Sequence, residues 1–370
     1  MNFDLTEERQ MLQDTLRRFL KDRYTTEVRN KIIDSESGMS AEIWAELAEL
    51  GVIGALFTED QGGFGGAGFD LAVVFEELGR AGVVEPFLDT AVLGGGLIAA
   101  LGEADMVEEI IGGGTHLALA HGEPAARYDL ARVDTTASDQ GGTITLNGRK
   151  SVVINAEAAS HLIVSARESG AAMDTDGISL FLVPTDAKGL TLRGYAMMSG
   201  GRAAEVTLDD VTGATRLGEA GKGYAPLMAV IARANVALAA ETLGAMETAT
   251  ELTRDYLMTR KQFGRPIGTF QALAHRFSDL LIELEQARSA VINAAGHLAD
   301  PNAELHIASA RNLIGRAGRL VAEEAIQMHG GIAMTQEYEL AHIAKRIVMT
   351  DHRLGDTDYH MERFIELSAA

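Results

Sequence analysis

Two rhythms of apolar and polar residues run along this chain. In the first third, apolar positions recur every three or four residues, the spacing of one helix face. Met11, Leu12, Leu16, Phe19 and Leu20 mark such a face, and Asp4 and Thr6 are caps for a helix running to about Lys21. The same spacing predicts helices over AEIWAELAEL (41–50), stopped by Gly51, over FDLAVVFEELGRAG (69–82), and near 88–101. From about His116 to Val211 the rhythm shortens. THLALA (115–120), GTITLNGRK (142–150), HLIVSAR (161–167), GISLFLVP (177–184), GLTLRGY (189–195) and AEVTLDDV (204–211) read as strands between turn residues. Asn147-Gly148 is a hairpin signal. Short strands at close spacing predict a small barrel or sandwich.

The helical period returns at Gly223. Two long helices are predicted to about Leu298, with their turn in KQFGRPIGT (261–269), where Pro266 and two glycines interrupt the pattern. Two more, over roughly 302–328 and 336–350, complete an antiparallel four-helix bundle. The expected fold is α+β and multidomain: an N-terminal helical domain (1–114), a middle β domain (115–215) and a C-terminal bundle (216–370).

Charge narrows the partners. With 32 Lys and Arg against 53 Asp and Glu, the net charge is −21. Nucleic acid and anionic membrane surfaces would be repelled. An anionic cofactor would need a local basic pocket. The absence of cysteine excludes disulfides, iron–sulfur clusters, thiol nucleophiles and cysteine-ligated zinc. The first residues do not read as a signal peptide, and no apolar run suggests a membrane span, so a cytoplasmic protein is expected.

Four segments carry candidate chemistry. GFGGAG (63–68) matches a dinucleotide fingerprint in letters only; helices precede it and no parallel-sheet pattern follows, so it reads as a glycine-rich turn. TRKQFGRPIGTFQALAHR (259–276) gathers Arg260, Lys261 and Arg265 beside Phe263, Phe270 and Gln271. A pyrophosphate needs guanidinium groups and a large aromatic cofactor needs apolar and amide contacts; the alternative is a solvated helix end. AIQMHGGIAMTQEYEL (325–340) sets Gln327 and Met328 before His329-Gly330-Gly331, where paired glycines allow close backbone approach or simply break a helix. DHRLGDTDYH (351–360) crowds aspartates and histidines together. A metal site is one reading; Asp356 and Asp358 as helix caps is the other.

Together these segments resemble the acyl-CoA dehydrogenase family over nearly the whole chain. The resemblance rests on Arg260, Gln262-Phe263-Gly264 and Phe270-Gln271, on Gln327, His329-Gly330-Gly331 and Glu337-Tyr338, and on Glu123-Pro124. It implies FAD, an acyl-CoA substrate, an electron-transfer flavoprotein as acceptor, and a homotetramer or related assembly. It also implies that Arg260 and Phe263 touch FAD held mainly by a neighbouring subunit, and that Gln327 to Gly331 reach its adenosine half. Gly122, Val152 and Ile154 fall where the family has its flavin-side threonine, tryptophan and threonine.

The family's reaction is α,β-dehydrogenation of an acyl-CoA thioester, with a glutamate removing the α proton. Here the two positions for that glutamate hold Leu354 and Ala234, and the arginine beside the second is Asn235. Glu241, Asp351 and Asp356 are the candidate substitutes. The combination resembles the small, FAD-site-completing subunit of heteromeric bacterial enzymes acting on dicarboxylic or steroid side-chain acyl-CoAs. Such a chain would pair with a homologous large subunit, two copies of each in a heterotetramer. VVEPFLDTAVL (83–93) and KRIVMTDHRLGDTDYHMERF fit that branch. Small residues Ala232, Ala234 and Ala237 would leave room for a bulky substrate if they face the pocket. The competing readings are a self-sufficient enzyme with an unusual base, a flavin-free structural subunit, and a flavin monooxygenase on the same fold.

Overall fold

A computed structural model describes residues 5–369, so the candidate cap Asp4 lies outside the described residues. Thr6 caps α1 (Glu7–Arg23), its Oγ1 accepting the Arg9 N–H at 3.4 Å. Then come α2 (Thr26–Ile33), α3 (Ala41–Glu49), α4 (Gly68–Ala81), α5 (Gly96–Leu101) and α6 (Ala104–Ile111). Ser40 caps α3 through the Ile43 N–H. The predicted helix near 88–101 is helical throughout, but Phe87–Gly95 winds as a π-helix before α5. Periodicity cannot separate the two windings, and π segments concentrate near functional sites.

Eight strands follow: β1 (Leu117–Ala120), β2 (Thr136–Gln140), β3 (Thr143–Ile154), β4 (His161–Arg167), β5 (Ile178–Pro184), β6 (Leu190–Ala196), β7 (Arg202–Val211) and β8 (Thr215–Leu217). They form one sheet in the order β6-β7-β3-β2-β4-β5-β8, with β1 parallel to β4. Leu146 and Val153 of β3 share one buried cluster with Leu162 and Val164 of β4, Phe181 of β5 and Val206 of β7. The sheet therefore encloses its core, as a barrel or sandwich does.

The hairpin signal at Asn147-Gly148 is misplaced. The β2–β3 hairpin turns at Gly141-Gly142, both at positive φ (65° and 90°), as a two-residue primed turn requires. Asn147 instead lies inside β3 and pairs with β7: its Nδ2 donates to Asp210 Oδ1 at 2.9 Å, and its Oδ1 accepts the Asp210 N–H at 2.8 Å. Those two bonds satisfy the asparagine without a turn.

The remainder is helical: α7 (Tyr224–Thr259), α8 (Gln271–Gly296), α9 (Ala303–His329), α10 (Glu339–Thr350) and α11 (Thr357–Ala369). A two-residue-strand hairpin, β9 (Lys261–Gln262) and β10 (Arg265–Pro266), joins α7 to α8. Helix α7 is long and apolar enough to cross a membrane, yet 78% of its most apolar window is buried inside the protein, as in a core helix. Two glycines admit it closely to α4. A Cβ on Gly79 would lie 1.9 Å from the Glu241 carbonyl oxygen, and one on Gly244 equally close to that of Glu76.

By packing, the described residues fall into two compact units. One comprises the described parts of Met1–Lys31, Ala67–Val83 and Asn235–Ala370; the other comprises Ile32–Gly66 and Val84–Ala234. The division into 1–114, 115–215 and 216–370 remains a reading of sequence character.

Candidate functional site

Gly122, Val152 and Ile154 lie in the β-rich unit. β1 ends at Ala120, and the chain turns out through Gly122, whose carbonyl accepts the Ser151 N–H at 2.8 Å. The register of β3 against β7 slips between Lys150 and Val153. That bulge swings Val152 outward, 57% exposed, at φ 54°. A β-branched residue in the left-handed region is a strained outlier. Its N–H donates to Glu205 Oε1 at 3.3 Å, which also accepts the Tyr195 hydroxyl at 3.1 Å.

Beneath this edge lies a polar cluster that no sequence motif announced. The fully buried Lys150 Nζ donates to Glu123 Oε1 (2.7 Å), Ser165 Oγ (3.0 Å) and the His121 carbonyl (3.3 Å). Glu123 also accepts the N–H groups of Asp134 (2.7 Å) and Thr135 (3.0 Å). Burial alone would raise the Glu123 carboxyl; the Lys150 charge and these hydrogen bonds outweigh it and hold it below its ordinary value. Burial, opposed by Glu123, lowers Lys150 to about 8. Burial and then the Lys150 charge push His121 down to about 3, so its ring is neutral. With Lys150 donating to Ser165 Oγ, the serine hydroxyl donates to His121 Nδ1 at 2.8 Å. One signal was available: Lys150 stands four residues after Leu146 in β3, on the face whose parity points into the core.

Apart from Ala232 and Ala234, which fall in the β-rich unit, the remaining candidates lie in the other unit. The β9–β10 hairpin turns at Phe263-Gly264, with φ of 52° and 80°. A primed turn favours Asn or Gly at its first position. Here a phenylalanine occupies it, 91% exposed. Its ring meets Phe270 edge-on at 6.0 Å, and the Arg265 guanidinium sits 4.2 Å over the Phe270 ring. The Arg260 carbonyl accepts the Ile267 N–H at 2.8 Å, closing the base of the hairpin; the Arg260 and Gln271 side chains are exposed.

Helix α9 ends at His329 with Gly330 at φ 70°. Met328 is buried, while Gln327, Gly330 and Gly331 are exposed. His329 is structural. It stacks on Tyr256 at 4.5 Å, its Nδ1 donates to the Ala325 carbonyl (2.8 Å) and its Nε2 accepts the Tyr338 hydroxyl (3.2 Å). Burial keeps the ring below its ordinary pKa, consistent with this neutral tautomer. The stack ties the end of α7, near Arg260, to the end of α9, near Gly330. A Cβ on Gly330 or Gly331 would meet nothing within 4 Å. Open backbone, an exposed guanidinium and an exposed aromatic ring suit a large, anionic, aromatic ligand such as a flavin dinucleotide.

Segment 351–356 is held rigidly. The buried Arg311 donates from one nitrogen to the carbonyls of Thr350 (3.3 Å), Arg353 (2.8 Å) and Gly355 (3.2 Å). Leu354 is half-buried at φ 56°. Asp351 accepts the Thr357 hydroxyl at 3.0 Å through either oxygen, and Asp356 caps α11 by accepting the Tyr359 N–H at 2.9 Å. Glu241 is buried against Arg346, Oε1 to Nε 2.7 Å. Ala234 and Ala237 are fully buried and Ala232 partly so. Burial and then the Arg311 charge lower His360 to about 3. Among the described residues, no group of three His, Asp or Glu side chains is placed to hold a metal ion.

Comparison with known proteins bears on family and fold. Three domain models match in series: acyl-CoA dehydrogenase N-terminal domain at residues 6–113, middle domain at 118–211 and C-terminal domain at 221–366. Acyl-CoA dehydrogenase IpdE2 of Mycolicibacterium smegmatis (strain ATCC 700084 / mc(2)155) is 30% identical, over 97% of this chain and 98% of its own. A variant of the Tcur3481-Tcur3483 steroid ACAD is 32% identical, covers 98% of each chain and superposes with a TM-score of 0.88. The FAD complex of PigA is 25% identical, covers 100% of this chain and 99% of its own, with a TM-score of 0.92. The chain belongs to the acyl-CoA dehydrogenase family.

Proposed function

We propose that this chain is one subunit of a heteromeric, FAD-dependent acyl-CoA dehydrogenase, and that a homologous partner chain brings the catalytic carboxylate. One observation carries the reading. Both positions where the family places its base hold aliphatic residues, Leu354 and Ala234, and the nearby carboxylates are engaged elsewhere: Glu241 with Arg346, Asp351 with Thr357, Asp356 with the start of α11.

FAD is the cofactor. When bound, it supplies the acceptor for the hydride that leaves the substrate's β carbon. This chain's residues then divide the remaining work. Gly122, Val152 and Ile154 offer backbone and apolar contact to the ring. Arg260 and Phe263 offer charge-assisted bonding and stacking to the cofactor of a neighbouring subunit, and Gln327 to Gly331 approach its adenosine half. The α proton goes to a carboxylate of the partner. The likeness to a steroid ACAD favours a bulky acyl-CoA as substrate, and likenesses to a caffeyl-CoA reductase-Etf complex subunit and to an electron transferring flavoprotein structure favour an electron-transfer flavoprotein as acceptor. A cytoplasmic location fits such an enzyme.

The test is the visible spectrum of the protein purified alone, before and after anaerobic addition of a panel of acyl-CoAs, repeated with a homologous large subunit. Bleaching only in the mixture is the expected result. Bleaching of the lone chain would mean a complete homomeric site, with the base among Glu241, Asp351 and Asp356. A mixture that never bleaches would reject the dehydrogenase reading.

A further inference from the structure

The Lys150 cluster joins three stretches of the β-rich unit that are far apart in sequence: the exit of β1, the bulge of β3 and the middle of β4. Its members adjoin the candidate flavin edge: two of them flank Gly122, and Lys150 stands two residues before Val152. His121 and Glu123 flank Gly122, and Lys150 precedes the Ser151 whose N–H holds the Gly122 carbonyl. We propose that Lys150 is a positioning residue for the flavin: by clamping His121, Glu123 and Ser165 together it fixes the spacing of Gly122 from Val152, and so the seat of the ring. This rests on reading Gly122, Val152 and Ile154 as the flavin edge.

The clamp depends on charge. Protonated Lys150 has three N–H donors and meets three acceptors. Neutral lysine has two donors and a lone pair, so either one contact is lost or the Ser165 hydroxyl turns to donate to the lone pair and releases His121 Nδ1. The groups facing Lys150 are Glu123 and His121 from the β1 exit, Asp134 from the segment before β2, and Ser165 from β4. Because Lys150 titrates at about 8, the clamp loosens as pH rises through that value. A side chain that only filled the core would impose no such dependence.

The experiment is titration of FAD into the full chain, followed by the visible flavin band and by melting temperature, from pH 6.5 to pH 9.5. Lys150→Met, Lys150→Arg and the charge-free pair Glu123→Gln/Lys150→Met are compared with Leu162→Ala, a core control in β4 with a comparable loss of melting temperature. Lys150→Met is expected to weaken FAD binding about tenfold beyond that control, because ångström-scale misplacement carries effects of this size. Wild-type affinity should fall as pH passes about 8, and both variants that replace Lys150 by methionine should lose that dependence. Glu123→Gln/Lys150→Met should recover melting temperature without recovering affinity. Lys150→Arg, which keeps the charge, should stay between wild type and Lys150→Met. If Lys150→Met binds FAD no worse than Leu162→Ala, the positioning role is overturned while the flavin edge stands. If the wild-type chain takes up no FAD alone or with its partner, the edge assignment falls, and this inference with it.

Discussion

Two turns in the helical unit force a bulky residue into the left-handed region, and they treat it in opposite ways. At Phe263 the strain is unsupported: the ring stands almost wholly in solvent on a two-residue hairpin. At Leu354 the strain is clamped: Arg311 gathers three carbonyls around it. A left-handed non-glycine residue costs about 1–2 kcal/mol. Where packing leaves that cost standing, as at Phe263, the rest of the fold carries it. Where packing enforces it, as at Leu354, the shape belongs to the scaffold and survives whatever side chain stands there. On the proposed function, the first turn is a surface for a neighbouring subunit and the second a loop that keeps its form with leucine where the family places its carboxylate.

Four changes would break or sharpen that contrast. Arg311→Met should destabilise the protein most, by about 3–5 kcal/mol, because several buried carbonyls lose their donor; urea unfolding would measure it, and a loss under 1 kcal/mol would mean the segment holds itself. Leu354→Glu should raise flavin bleaching by the lone chain about 10²-fold, the scale of a placed general base. No gain over wild type in single-turnover bleaching would show that the segment no longer presents this position to substrate.

His360 gives a pH test of the clamped segment. Its folded pKa is depressed to about 3, so the unfolded chain binds the extra proton first. Stability is therefore intact above about 6.5 and falls as pH drops below it, by about 1.4 kcal/mol per pH unit for this group. His360→Gln should flatten that part of the stability curve, and an unchanged slope would place the acid sensitivity elsewhere. The smallest effect belongs to the hairpin. Phe263→Gly should stabilise the lone chain by about 1 kcal/mol in thermal unfolding while weakening assembly or FAD retention. Loss of stability instead would mean that the Phe270 contact outweighs the strain.

The same contrast explains what the sequence could reveal. Helices α1, α3, α4 and α7 to α10 were legible because each repeats an apolar face over several turns. α2 is an eight-residue helix with too few apolar positions to establish a period, and the exposed β2 reads TASDQ; α6 does repeat an apolar face, Met106, Val107, Ile110 and Ile111, over its two turns, and that signal was there to be read. The hairpin cations and the His329 segment were legible because their residues are neighbours in the chain. The Lys150 cluster was not, because His121, Lys150 and Ser165 meet only through sheet pairing, including the parallel contact of β1 with β4. Asn-Gly misled for a related reason: its turn preference is local, while its Asp210 partner lies 63 residues away.

The buried apolar helix α7 has a consequence for how the protein is made. Part of its cover comes from α9, where Gly318 approaches Thr242, and α9 begins at Ala303, about forty residues after α7 ends at Thr259. At roughly 5–20 residues per second, a ribosome needs some seconds to supply it. During that interval the nascent chain displays a segment that meets the length and hydropathy of a membrane span. Early docking of α7 on α4, already synthesised and opened to it by Gly79 and Gly244, would shield the segment from insertion machinery and aggregation.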